Sequence, residues 1–433
     1  MTAVIYTLGV VVFVLGVLAS IALHEVGHMY PAKKFGVKVT QYFVGFGKTV
    51  WSVRRGETEY GLKAIPLGGY VKLVGMLPPA KGQSPTTVRS TNTGMFTQLI
   101  ADARAAEYEH VRPGEEDRLF YRKPWWQKLV VMSGGPLVNL VIALALFTVV
   151  FVGLGVPQPT TTVSSVSDCV VLASEEGRAC TPADPLAPAQ LAGLEPGDRV
   201  VSFNGDPVTS WDQLTGLIRG NADGAAQLGI VRDGEQLMLA TDTLVTPRPE
   251  AAGSERLVRV GFLGVSPTTV VERQDLGFVA GTMWSYTKAT GAAIIDLPQR
   301  LVGVAQAAFG AERAADSPMS VVGASRVAGE VVTFEESTWR SRAANLLGLL
   351  GAVNLFVALF NFIPLLPLDG GHIAGALWEA LRRGVARLRR KPDPGYVDVG
   401  KMLPVAYAVG AFLIVMGALL VYADIVNPVQ FAR

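Results

Sequence analysis

Charge is scarce in this chain. Only 17% of its 433 residues are Asp, Glu, Lys or Arg, while half are apolar; a soluble protein usually carries about 25% charged residues. The shortfall excludes a single large water-soluble core and implies several membrane spans. The net charge of +2 leaves no overall electrostatic footprint for nucleic acid, and no such partner is expected. Cysteine is scarcer still. Cys169 and Cys180 are the only two, which excludes a four-thiolate zinc site. Lying in a polar segment, they are expected to close one small disulfide loop if that segment faces an oxidising compartment. The first apolar run has neither a basic segment before it nor a small-residue cleavage site after it, so it reads as a span and not as a signal peptide.

Against that background four apolar runs stand out: residues 4–23, 129–152, 346–366 and 403–422. Each has about the length that crosses a hydrocarbon core of about 30 Å. Trp125 and Trp126, with Arg122, Lys123 and Lys128 around them, read as an interfacial belt. Residues 29–128 carry 16 Lys and Arg and residues 382–401 carry 7, whereas residues 153–345 carry only 14. Basic loops stay cytoplasmic, so residues 29–128 and 373–402 are expected inside, with both termini and the long middle segment outside.

The connecting segments differ in kind. Residues 37–75, rich in Val, Tyr, Phe and Gly, read as short strands. The following stretch to residue 128 contains a Pro-, Ser- and charge-rich insertion over 77–120, with one amphipathic helix near its end and a solvated His110. Residues 160–266 read as a compact domain with a hairpin at Asn204-Gly205, a helix N-cap at Ser210 with Gln213 as its capping-box partner, and a second hairpin at Asp233-Gly234. Residues 267–345 read as weakly amphipathic helices. A fifth span near 289–309 is opposed by Asp296, Gln299 and Arg300.

The chemistry concentrates at the end of the first span, in "HEVGH". His24 and His28 are four apart, so a helix stacks them on one face and both can reach one metal ion. Glu25 points about 100° away, placed to touch a water at the metal without ligating it. A Glu at this depth is costly unless it has a function. Asp369, in "NFIPLLPLDGGH", closes the third span at the same membrane face and is the expected third ligand; a catalytic zinc takes three protein ligands and keeps one position open. His372 is a rival ligand. Pro364 and Pro367 break the helix there, and irregular backbone at this depth is tolerated only where it lines a cavity. Asn361 lies two turns before Asp369, with an amide able to pair with an extended peptide; the alternative is a polar contact between helices, the reading that suits Asn354 and Asn139.

"HEVGH", "AIPLGGYVKL", "SGGPLVNL" and "NFIPLLPLDGGH", in this order, make the chain resemble the site-2 protease family of intramembrane zinc metalloproteases. It is most similar to the bacterial branch that carries an external PDZ module and releases sigma factors by cutting anti-sigma factors. The resemblance implies one zinc ion on His24, His28 and Asp369, Glu25 as catalytic base, and Asn361 with Pro364 at the substrate backbone. It also implies a membrane-dipping hairpin at residues 65–71, where Leu67, Gly68, Gly69 and Tyr70 present substrate as an added strand. "SPMSVVGASR", residues 317–326, resembles the turn before the third span of this branch, and "AQLAGLEPGDRVVSFNG", residues 189–205, resembles one PDZ module where the best-known bacterial pattern has two.

The expected fold is therefore a polytopic α-helical membrane protein of four transmembrane helices, with a membrane-associated β-hairpin and an inserted external α+β PDZ domain. The expected activity is proteolysis of single-span membrane proteins, anti-sigma factors and remnant signal peptides leading, after a first cut by another protease. A spanning helix satisfies its own backbone, so its cleavage requires unwinding, which pairing with an enzyme edge strand would favour. The PDZ domain is expected to exclude bulky substrates or to bind a fresh C-terminus. Two further readings fit the same residues: a membrane-tethered metalloprotease acting on soluble peptides, and a PDZ scaffold with a vestigial metal site.

Overall fold

The computed structural model describes residues 2–79, 103–104, 111, 114–171, 178–222, 224–250, 256–314, 317–333 and 338–429. The expected helix at the end of the insertion, and His110, lie almost wholly outside them. The chain forms two compact units, one built from residues 1–154 and 275–433 and the other from residues 155–274.

In the first unit, α1 runs from Thr2 to Lys34, well past the apolar run, because nothing in "HEVGHMY" breaks a helix and Lys33 and Lys34 suit its C-terminal dipole. Next, β1 (Val39–Arg55) and β2 (Thr58–Leu73) replace the expected short strands with one long curled hairpin. Each strand bends back on itself. Residues 41–44 pair with 69–72 on one side and with 59–62 on the other, and 59–62 pair again with 51–54. Two strands thus supply four sheet segments, with 69–72 at one edge.

Helix α2 (Trp125–Thr148) continues through a π-helical turn at Val149–Leu154. Lys128 departs from the expected belt: it is buried and pairs with Glu379 at 2.7 Å, because its helix face turns inward while Trp126 stays exposed. Beyond the second unit, which holds α3 (Pro188–Leu191) and α4 (Trp211–Gly220), come α5 (Leu276–Ile295), α6 (Leu297–Ala308), α7 (Val321–Val331), α8 (Trp339–Asn361), α9 (Asp369–Leu388) and α10 (Leu403–Val426). The α5–α6 break falls at Asp296, one of the residues that opposed a fifth span. The third span ends at Asn361, short of the apolar run, and the prolines after it enforce a turn.

Among the described residues four helices are long and apolar enough to cross a membrane: Thr2–Lys34, Trp125–Leu154, Trp339–Asn361 and Val399–Val426. Val4, Leu8, Leu15, Val141, Ile414 and Val415 on them are exposed. Such continuous apolar surface is anomalous in water and ordinary in lipid. Between helices, apolar packing is joined by a few polar contacts. Asn354 on α8 donates to Ser20 Oγ on α1 at 3.0 Å, the helix-joining role expected of it. Ser320, within the 317–326 turn, caps α7 and donates to Asp424 on α10, whose other oxygen pairs with the buried Arg313 at 2.7 Å.

The second unit is a sheet of order β8-β7-β6-β4-β3-β9, with β5 paired to β4. Its strands are β3 (Val156–Val166), β4 (Arg199–Phe203), β5 (Asp206–Pro207), β6 (Gly224–Arg232), β7 (Glu235–Pro249), β8 (Leu257–Phe262) and β9 (Val265–Glu272), with helices α3 (Pro188–Leu191) and α4 (Trp211–Gly220). Asn204 and Asp233 adopt φ of 51°, each followed by a positive-φ glycine, as the two expected hairpins require. Ser210 caps α4 by accepting from Gln213 N at 3.2 Å. The Gln213 side chain reaches one residue further back than a capping box, accepting from Thr209 N at 3.0 Å. Val200, Phe203, Leu214, Leu228, Ile230 and Leu263 form the core. Cys169 and Cys180 are joined by a disulfide.

Candidate metal centre

The three donors expected from the sequence meet. His24 and His28 follow one another along α1 with ring centroids 4.9 Å apart. Asp369 is the first residue of α9 and arrives from α8 through the turn 362–368. That turn folds back tightly enough that a Cβ on Gly371 would stand 2.7 Å from Leu366 N, so the glycine pair after Asp369 is a packing requirement. Asp369 Oδ2 lies 3.4 Å from His24 Nε2 and 3.2 Å from His28 Nε2, and the two Nε2 atoms are 3.2 Å apart.

This triangle fits a metal. Three donors at about 2.0–2.1 Å from a tetrahedral zinc stand about 3.3–3.4 Å from each other. The tautomer fits as well. His28 Nδ1 lies 2.8 Å from the Val131 carbonyl, which only accepts, so Nδ1 donates and neutral His28 keeps a bare Nε2. Asp369 Oδ2 is buried without an aligned donor. Lone pairs converging on one point repel each other unless a cation joins them, and a backbone carbonyl orienting an imidazole is the usual support of a metal-binding histidine.

Helix α2 sets the back wall. A Cβ on Gly135 would overlap the Nε2 atoms of both histidines, and a Cβ on Gly134 would overlap the Gly27 carbonyl. The Val131 carbonyl and Gly135 were not singled out from sequence as site residues. A Gly-Gly-Pro run inside an apolar span was the available signal, since nothing else in a helix there favours two glycines.

The hairpin covers the other side. Glu25 is buried on α1 beside His24, His28 and Asp369, and the Val71 N–H faces its carboxylate. A Cβ on Gly69 would stand 3.0 Å from Glu25 Cγ, so only a glycine lets the edge segment 69–72 pass this close. Tyr42 Oη donates to the Ala22 carbonyl at 2.8 Å and pins the sheet to α1. Tyr70 stacks on Phe43 and Phe46. Gly68 and Gly69 lie on this edge beside Glu25; the Leu67 side chain is outside the described positions. Asn361 ends α8 half-buried, and Pro364 lies exposed in the turn. His372 is one helical turn beyond Asp369 and stands outside the donor triangle.

A chain with four membrane-type helices and a two-histidine, one-carboxylate cluster has the parts of a membrane metallohydrolase. Comparison with known proteins makes the class definite: residues 12–393 match the model of Peptidase family M50, and the chain belongs to that family, the site-2 proteases. It is 34% identical to the zinc metalloprotease Rip1 of Mycobacterium tuberculosis over 436 residues, covering 98% of this chain and 99% of the relative. It is 32% identical to zinc metalloprotease Rip1 of Mycolicibacterium smegmatis, again over 98% and 99% of the two chains. The metalloprotease MmpA of Caulobacter vibrioides is 27% identical over 86% of each. The protein is a multi-pass membrane metalloprotease.

Proposed function

We propose that His24, His28 and Asp369 hold one zinc ion and that Glu25 is the general base of an intramembrane endopeptidase. The observation that carries this reading is the donor triangle of 3.2–3.4 Å with Glu25 buried beside it. A zinc ion in such a set supplies Lewis acidity, which makes water acidic enough to lose a proton near neutral pH. The Glu25 carboxylate then takes that proton and returns it to the departing amine nitrogen. His28 is kept in its binding tautomer by the Val131 carbonyl. Segment 69–72 offers a strand edge beside Glu25 that no described strand pairs with, so an unwound substrate stretch pairs there by strand addition, and Gly68, Gly69 and Tyr70 set its approach. The Asn361 amide and the Pro364 turn border the same end of α8 and hold the substrate backbone from the other side.

The substrates that suit a site at the end of two spans are single-span membrane proteins already shortened by a first protease, such as anti-sigma factors and remnant signal peptides. The second unit is read as a PDZ-like module in the oxidising compartment, where its disulfide belongs. Its groove of about 460 Å³, lined by Trp211, Thr215, Ile218, Phe262, Gly264 and Pro267, takes a peptide or a chain end. The test is Glu25→Gln in the full-length protein. Zinc content stays at the wild-type level, while cleavage of a single-span substrate in proteoliposomes falls by about 10²–10⁴-fold. Cleavage at the wild-type rate would overturn the assignment, and a cut mapped outside the apolar segment would overturn its intramembrane character.

A further inference from the structure

Beyond the metal-centre donor at its start, α9 carries two unlike faces. Ala376 and Glu379 are buried against the rest of the fold, and Glu379 Oε2 meets Lys128 Nζ at 2.7 Å. Leu377, Trp378, Leu381, Val385 and Leu388 are exposed, Leu381 by 56% and Leu388 by 86%. At about 100° per residue these five fall within an arc of about 100°, on the side turned away from Glu379. A stripe of large apolar side chains at this spacing normally meets another surface, and here it stands open.

Charge identifies what covers it. Residues 377–391, "LWEALRRGVARLRRK", hold six Arg and Lys against one carboxylate, that of the inward-facing Glu379. Arg383 pairs with Glu379 at 3.1 Å, and Arg382 donates to the Pro394 carbonyl at 3.0 Å. Arg387, Arg389, Arg390 and Lys391 are exposed, and no carboxylate among the described residues pairs with them. Depth agrees with charge. Lys128 lies in the first turn of α2, beside the exposed Trp126, so Glu379 and its neighbour Trp378 stand level with the end of a membrane-type helix. Tryptophan at such a level marks the boundary between lipid and water. From there α9 runs on for about 13.5 Å to Leu388. A hydrocarbon core would reject its cations, and water would leave its stripe uncovered. Both faces suit the layer where acyl chains meet anionic headgroups.

We propose that the C-terminal half of α9 is an interfacial anchor for an anionic lipid surface, at the leaflet where α8 ends. Leu377, Trp378, Leu381, Val385 and Leu388 lie among the upper parts of the acyl chains, and Arg387, Arg389, Arg390 and Lys391 lie on the lipid phosphates. This goes beyond the proposed proteolysis and does not depend on it. Because α9 begins with Asp369, the same contact ties the helix that supplies one donor of the triangle to the membrane surface.

The experiment uses the full-length protein in vesicles of phosphatidylcholine mixed with phosphatidylglycerol. Cys169 and Cys180 are joined to each other, so one nitroxide can be placed at a time, on Leu381→Cys, Val385→Cys or, in the exposed hairpin of the second unit, Glu235→Cys. The labels at 381 and 385 collide readily with dissolved oxygen and are shielded from a water-soluble nickel chelate, at a depth of about 5–10 Å. The label at 235 shows the reverse. In a second measurement the wild type binds spin-labelled phosphatidylglycerol in preference to spin-labelled phosphatidylcholine, and replacing Arg387, Arg389, Arg390 and Lys391 by Gln lowers that preference several-fold. Nickel access at 381 and 385 equal to that at 235 would put the stripe in water. Shielding there from both reagents would mean that a protein segment covers it. An unaltered lipid preference in the four-residue variant would remove the headgroup contact. Each of these three results overturns the proposal.

Discussion

Carboxylates out of contact with solvent are treated differently in the scaffold of the two units and at the candidate metal centre. In the second unit Asp198 is 1% exposed, and Arg232 answers it with two donors at 2.7 Å while the Glu195 N–H adds a third at 2.9 Å. In the first unit Asp424 is likewise matched, by Arg313, Ser320 and the Gly323 N–H. Among the described residues Glu25 and Asp369 have no guanidinium or ammonium beside them; the charged or titratable neighbours are two imidazoles and each other. A buried acid with a matched cation is part of the scaffold. Two acids that share only imidazoles, one buried and one half-buried, are costly for folding alone, which is the pattern expected of a functional site.

The comparison can be broken at several strengths. The largest effect is expected from Asp369→Asn, which replaces the one anionic donor: zinc content measured by elemental analysis falls to background and cleavage is lost with it. Next comes Gly135→Val. Its side chain occupies the space of both Nε2 atoms, so zinc is lost although no ligand is altered, and retained stoichiometric zinc would show that α2 does not form the wall. In the second unit Asp198→Asn leaves metal and basal chemistry in place and costs about 1.5–3 kcal/mol of stability, the usual worth of hydrogen bonds to a charged group.

The pH dependence of that variant sharpens the contrast. Arg232 holds the Asp198 carboxyl below the usual carboxylate range. Its folded value is depressed, so its contribution is present above the unfolded value of about 3.9 and is lost as pH falls through the folded one. Melting of the full-length protein between pH 6 and pH 3 should therefore fall less steeply in Asp198→Asn than in the wild type. An unchanged acid slope would remove Asp198 as the cause. The smallest effect belongs to Asn354→Ala, which removes one bond between α8 and α1; about 0.6–1.7 kcal/mol is expected, since such contacts in membranes are individually modest.

Legibility followed distance along the chain. The helical pairing of His24 and His28 is a four-residue spacing, and the hairpins at Asn204 and Asp233 are two-residue signals, so both were readable without knowing the fold. The curl of β1 and β2 was not, because the double pairing of residues 41–44 depends on partners up to about thirty residues away. Lys128 read as part of an interfacial belt because nothing near it in sequence announces Glu379, 251 positions on.

By itself, then, the order of residues determined the four apolar spans, the helix that carries "HEVGH", and through motif resemblance the membership of Asp369 in the same centre. Spacing and hydropathy act locally, so they survive being read in one dimension. Tertiary structure alone decided which carbonyl fixes the His28 tautomer, which glycines let α2 close on the two histidines, and which one lets the hairpin edge close on Glu25. Those outcomes depend on close approach between segments remote in the chain, where tenths of an ångström separate a contact from a clash and no local pattern records the distance.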